Sequence, residues 1–190
     1  MRLIIMGPPG AGKGTQAAGI AARYQIPAIS TGDIFRANVS QGTPLGLEAK
    51  RYMDAGDYVP DSVTNNMVRD RLAEADATDG FLLDGYPRTL AQVDELDGML
   101  QAAGVALDAV LVLTVDDEEL VQRLVRRAQT DGRTDDTEDV IRHRQDVYNE
   151  QTAPLIKVYA DRGLLRTVDG MGEVDDVAKR IAAELDDVRA

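Results

Sequence analysis

Cysteine and tryptophan are absent from this 190-residue chain, histidine occurs once, as His143, and aromatic residues make up only 4%. Without cysteine there can be no disulfide, no thiol nucleophile and no Cys-rich zinc site. With one imidazole, Ser-His-Asp or Cys-His chemistry could be built only around His143. The scarcity of aromatics leaves aliphatic side chains to fill the core. Nor is there a hydrophobic run near the ~20 residues that span a bilayer. The apolar stretch Leu3 to Met6 is stopped at once by Gly7 and Pro8 and is too short for a signal segment, so a cytoplasmic protein is expected. Basic residues are also in deficit, 21 against 33 acidic, for a formal charge of -12. That balance argues against partnership with nucleic acid or an anionic membrane, and any anionic substrate must meet a local basic site.

What remains is the composition of a soluble globular domain, 44% hydrophobic and 28% charged. Arg2 to Met6, Phe81 to Leu83 and Val110 to Val115 are apolar runs with little alternation, as expected of strands buried on both faces of a parallel sheet. Shorter candidates are Ile26 to Ser30 and Leu164 to Val168. Helical patterns lie between them, at 13–24, 89–103, 117–128, 137–151, 154–162 and 174–188. This alternation predicts an α/β fold, a doubly wound parallel five-stranded sheet. Residues 31–73 carry only helical signals and turns, which reads as a helical insertion between two strands. Residues 128–139 hold no apolar side chain larger than Ala128 and are expected to form an exposed loop.

After the first strand comes Gly7-Pro8-Pro9-Gly10-Ala11-Gly12-Lys13-Gly14-Thr15, opening a predicted helix. In a phosphate-binding loop the glycines let successive amides turn inward as an anion nest, the helix N-terminus adds partial positive charge, and the lysine supplies a point charge. The strict pattern has Ser or Thr directly after the lysine as a magnesium ligand. Here Gly14 stands there, so a metal is expected to be held by nucleotide phosphates, water and a carboxylate. Phe81 to Arg88 ends a buried strand with Asp84, at the sheet edge where open α/β folds bind ligands. Asp84 could orient water on magnesium, and Arg88 offers a planar fork to a phosphate.

The glycine loop, Ser30-Thr31-Gly32-Asp33-Ile34-Phe35-Arg36, and the stretch from Asp84 to Gln92 together resemble the adenylate kinases in their short-lid bacterial form. The likeness covers nearly the whole chain. It implies one kinase domain of the P-loop nucleoside monophosphate type over 1–190, with an AMP-binding insertion at 30–59 and a short lid at 126–136. It implies ATP at Gly10, Ala11, Gly12, Lys13, Gly14, Thr15, Arg127 and Gly172. It places AMP at Thr31, Arg36, Met53, Asp57, Tyr58, Val59, Gly85, Arg88, Gln92, Arg133 and Arg144. Catalysis would fall to Lys13, Arg88, Arg127, Arg133 and Arg144, with Mg2+ accompanying ATP near Asp84 through water. No zinc is expected in a lid without cysteine, and the protein is expected to act as a monomer on ATP, AMP and ADP. Six arginines, at 123, 126, 127, 133, 142 and 144, flank the polar loop. Five carboxylates share that stretch, so Arg123 and Arg142 also read as a solvated, salt-bridged face. His143 reads as a surface residue. Two other readings stay open from sequence alone: a kinase of another nucleoside monophosphate, and a P-loop switch that hydrolyses slowly.

Overall fold

A computed structural model describes residues 1–131 and 137–189. Its centre is a sheet of five parallel strands, β1 (Arg2–Met6), β2 (Ala28–Ser30), β3 (Phe81–Asp84), β4 (Ala109–Thr114) and β5 (Leu165–Asp169), in the order β2-β3-β1-β4-β5. The side-chain period of two divides the central strands between two cores. Leu3 and Ile5 of β1, Leu82 of β3, and Ala109, Leu111 and Leu113 of β4 face one cluster, with Ile20, Leu120, Val177, Ile181 and Leu185 packed over them. Ile4, Met6, Phe81, Leu83, Val110 and Val112 face the other, under Val93, Leu96, Leu100, Leu155 and Tyr159. Both faces are buried, which is why these strands read as unbroken apolar runs.

The helices are α1 (Lys13–Tyr24), α2 (Thr31–Gln41), α3 (Pro44–Ala55), α4 (Asp61–Leu72), α5 (Leu90–Ala102), α6 (Asp117–Asp131), α7 (Glu138–Val147), α8 (Pro154–Asp161) and α9 (Val174–Arg189). Residues 31–73 are three helices, as the sequence indicates. They carry a small core of their own, Phe35, Ala49 and Val59, with Leu45, Tyr52, Met53 and Val63 packed against it. Side-chain caps fix two helix starts at the carboxyl edge of the sheet. Ser30 Oγ accepts from the Asp33 amide at 3.2 Å, and Thr89 Oγ1 from the Gln92 amide at 3.2 Å. Among the described residues no helix is long and apolar enough to cross a membrane.

Two sequence expectations are corrected. The loop anticipated over 128–139 is helical at both ends, because α6 continues to Asp131 and α7 starts at Glu138, while residues 132–136 of that loop and of the anticipated lid lie outside the described residues. Ala128 and Gln129 favour helix and no breaker intervenes, so the helix outlasts its apolar stripe. The single helix anticipated over 137–151 instead ends at Val147 and passes into a π-helical turn, Tyr148–Thr152, closed by the Ala153 amide donating to Tyr148 O at 2.9 Å. The cause is Pro154, which lacks an N–H and whose ring would strike the carbonyl four residues back.

Two buried tyrosines in the second core differ in a testable way. Tyr86 donates to Asn65 Oδ1 at 2.9 Å, whereas the Tyr159 hydroxyl has no hydrogen-bond partner among the described residues. Burial raises the pKa of both, so both stay neutral. Tyr86→Phe is therefore expected to lower stability by about 1 kcal/mol in urea unfolding, and Tyr159→Phe to leave it unchanged or raise it.

Candidate active site

The loop between β1 and α1 turns through left-handed glycines, Gly10 at φ 89° and Gly12 at φ 92°. At Gly10 a side chain is excluded twice over, by backbone angle and by space, since a Cβ would lie 3.0 Å from Leu124 Cγ and 3.1 Å from Leu120 O. The loop thus packs directly on α6, and its own turn is closed by the Ala11 amide donating to Pro8 O at 3.1 Å. Lys13 folds back across it, donating to Gly7 O at 2.7 Å and Pro8 O at 3.1 Å. Burial lowers its pKa from 10.5 to about 8. Asp84 opposes that shift, while Arg88, Arg144 and Arg127 add to it.

Two cavities adjoin at this point. The first is lined by Thr31, Arg36, Met53, Asp57, Tyr58, Val59, Gly85, Arg88, Gln92 and Arg144, among others. The second is lined by the whole run Gly10 to Thr15 and by Asp84, Arg127 and Gly172, together with Arg123, Arg126, Glu119 and Glu173. Lys13, Arg36, Arg88 and Arg144 line both, so the wall between the cavities is basic. Every site residue anticipated from the sequence lines one cavity or the other except Arg133, which lies outside the described residues.

Arg88 is held from several sides. Its Nε donates to Gly85 O at 2.7 Å, and its guanidinium lies over the Tyr58 ring, 4.9 Å from the centroid. Its carbonyl accepts from the Thr152 hydroxyl at 2.8 Å. Because that hydroxyl has a single proton, the Tyr58 hydroxyl must be the donor in the 2.7 Å contact with Thr152 Oγ1. Gly85, at φ 81°, makes the arrangement fit, since a Cβ there would lie 2.8 Å from Thr31 Oγ1 and 2.9 Å from the Arg88 guanidinium. The Thr31 hydroxyl donates to Gly85 O at 2.9 Å. Arg36 pairs with Asp33 one turn earlier.

Sequence reasoning missed Tyr148 and Thr152, both buried and both lining the first cavity. They stand in the π-helical turn, whose only sequence signal is Pro154. It also left Arg123 undecided. That side chain pairs with Glu119 at 2.8 Å and donates to Gly170 O at 3.1 Å, while lining the second cavity. Arg142 is exposed and pairs with Glu138 at 2.7 Å, the solvated face considered for it. His143 is a half-exposed residue on α7, with one partner the sequence did not reveal, Asp57 at 2.6 Å on the insertion.

Among the described residues no group of three or more His, Asp or Glu could hold a metal ion. Asp33, Asp84, Glu119 and Glu173 all line the second cavity; Asp84, at the end of β3, offers a hard carboxylate suited to a magnesium ion that brings most of its oxygen ligands with it.

A glycine-rich anion nest after β1 and a basic wall between two cavities, at the carboxyl edge of a parallel sheet, define a P-loop nucleotide-binding protein. The family model described as adenylate kinase matches residues 5–164. Proteins named adenylate kinase are similar over almost the whole chain. The one from Nocardioides sp. JS614 is 70% identical over 186 residues, 98% of this chain and 97% of its own. That of Kocuria rhizophila is 66% identical over 97% of this chain and 98% of its own, and that of Thermobifida fusca 59% identical over the same shares. The chain belongs to the adenylate kinase family.

Proposed function

We propose that the chain interconverts ATP plus AMP and two ADP, with ATP in the second cavity and AMP in the first. The observation that carries this reading is the shared basic wall, which lies where a phosphoryl group would pass between two nucleotides. An AMP phosphate oxygen attacks the γ-phosphorus of ATP, and the bond from that phosphorus to the β,γ-bridging oxygen breaks, leaving ADP on each side. The attacking oxygen is already anionic, so no general base is needed. The chain supplies positioning and positive charge. Lys13 and the loop amides hold the β- and γ-phosphates. Arg88, Arg133 and Arg144 span the transferring group and the AMP phosphate, with Arg36 on the AMP side and Arg127 on the ATP side. Thr31 and Gln92 meet the adenine of AMP, with Met53 beside it, and the backbone at Asp57, Tyr58 and Val59 lines the nucleoside. The Gly172 backbone meets the adenine of ATP. Asp84 would hold, through water, a Mg2+ ion bound with ATP, which would supply charge to neutralise the phosphates. The segments 30–59 and 126–136 close over the nucleotides and keep water from competing as acceptor. The protein works as a cytoplasmic monomer.

Purified protein given ATP with AMP, GMP, CMP or UMP in turn, with ADP followed, tests this reading. AMP is expected to exceed the others in kcat/KM by roughly a hundredfold, as in sites built to hydrogen-bond one substrate. Comparable rates with CMP or UMP would contradict it.

Lys13 gives the reading a pH signature. Between pH 8 and 10.5 the folded chain binds fewer protons at Lys13 than the unfolded chain, so this group's contribution to stability rises with pH across that window. Phosphate oxygens beside the ammonium favour its charged form. ATP binding at pH 8.5 is therefore expected to take up protons, and affinity to fall above pH 8 by at most ~tenfold per unit. Calorimetric titration in two buffers of different ionisation enthalpy measures the uptake. Binding without proton uptake would show that phosphate does not reach Lys13.

A further inference from the structure

Gln92 is 1% exposed yet lines the first cavity, and its carboxamide is held at both ends. Nε2 donates to Asp61 Oδ1 at 2.7 Å, and Oε1 accepts from the Arg88 amide at 2.7 Å. A carboxylate only accepts and a backbone N–H only donates, so chemistry dictates which end of this amide is oxygen and which is nitrogen. The second Asp61 oxygen accepts from the Thr89 hydroxyl at 3.0 Å, tying the first residue of α4 to the cap of α5. A primary amide has two N–H groups and two oxygen lone pairs. With one of each engaged, Gln92 keeps one donor and one acceptor for the cavity, in a fixed order.

The geometry points to Asp61 as a positioning residue that sets purine selectivity, resting on the reading of the first cavity as the monophosphate site. A 6-aminopurine presents an acceptor at N1 beside a donor at N6, complementary to the donor and acceptor Gln92 retains. A 6-oxopurine presents the reverse, a donor at N1 beside an acceptor at O6. To accept it, the Gln92 amide must rotate by half a turn, bringing its oxygen against the Asp61 carboxylate and its NH2 against the Arg88 N–H. Asp61 is the side-chain half of that lock. It sits behind Gln92 and does not itself line the cavity.

AMP and inosine monophosphate form the test pair, equal in size and phosphate and opposite at this edge. Asp61→Asn is nearly isosteric, and its amide can turn either oxygen or nitrogen to Gln92 while the Thr89 hydroxyl donates or accepts to match. Asp61→Ala admits water, which is equally indifferent. In both variants the ratio of kcat/KM for AMP to that for inosine monophosphate is expected to fall ~tenfold or more, through KM for the monophosphates, with KM for ATP unmoved. A fold-supporting role alone would lower both substrates together and leave the ratio intact. Should Asp61→Ala fail to fold, Asp61→Asn decides. A wild-type ratio in an Asp61→Asn protein with wild-type melting overturns the role of Asp61. Wild-type enzyme that treats the two monophosphates alike overturns the assignment of the first cavity as well.

Discussion

Arg88→Ala is expected to lower kcat by ~10³ or more while leaving ATP affinity within a few-fold of wild type, the scale seen when an arginine stabilising a transferring phosphoryl group is lost. The side chain lines both cavities, and its position is over-determined by Gly85 O, the Tyr58 ring and the Thr152 hydroxyl bonded to its carbonyl. Such pre-organisation favours a fork already in place before charge develops on the transferring group. In the proposed reading the ATP phosphates rest chiefly on loop amides and Lys13, which the substitution does not touch. Steady-state kinetics and ATP titration together give the answer. A variant within tenfold of wild-type turnover would assign Arg88 a purely structural role.

Lys13→Met is expected to cut activity sharply and yet not lower stability. The ammonium lies among Arg88, Arg144 and Arg127 in a desolvated site, with Asp84 its main compensation, and its pKa near 8 shows that the fold disfavours its charge. Below pH 8 that charge is a burden on the folded state which the methionine side chain does not carry. Activity should fall by ~10² to 10³ in kcat/KM, as for the loss of one pre-organised donor at a developing charge. Thermal melting at pH 7 should give a midpoint equal to or above that of wild type. A clearly lower midpoint would mean that the bonds from Lys13 to Gly7 O and Pro8 O outweigh its desolvation.

The sheet was legible because its central strands are buried on both faces. Arg2 to Met6 and Ala109 to Thr114 show as apolar runs whatever their partners, and the glycine loop is contiguous in sequence. Asp84, Gly85 and Arg88 were legible for the same reason, lying directly after a buried strand. What stayed hidden depends on contacts between distant residues. Tyr58 meets Thr152 across 94 positions and Gln92 meets Asp61 across 31, and no local pattern records either pairing. The π-helical turn is hidden differently. Its residues read as ordinary helix, and only the demand of Pro154 four residues ahead of Glu150 shows where the ladder must widen. The depressed pKa of Lys13 likewise arises from burial and from arginines on α5, α6 and α7 or beside them, brought together only by the fold.

Direct transfer across one basic wall requires that a single molecule carrying two nucleosides on one polyphosphate chain should fill both cavities at once. Calorimetric titration with an adenosine-polyphosphate-adenosine compound of five phosphates tests this most directly. One molecule per chain is expected, bound at least ~10²-fold more tightly than ADP, because linking the two halves makes the second binding event intramolecular. Two molecules per chain, or an affinity no better than that of ADP, would contradict the shared wall and the transfer it is held to support.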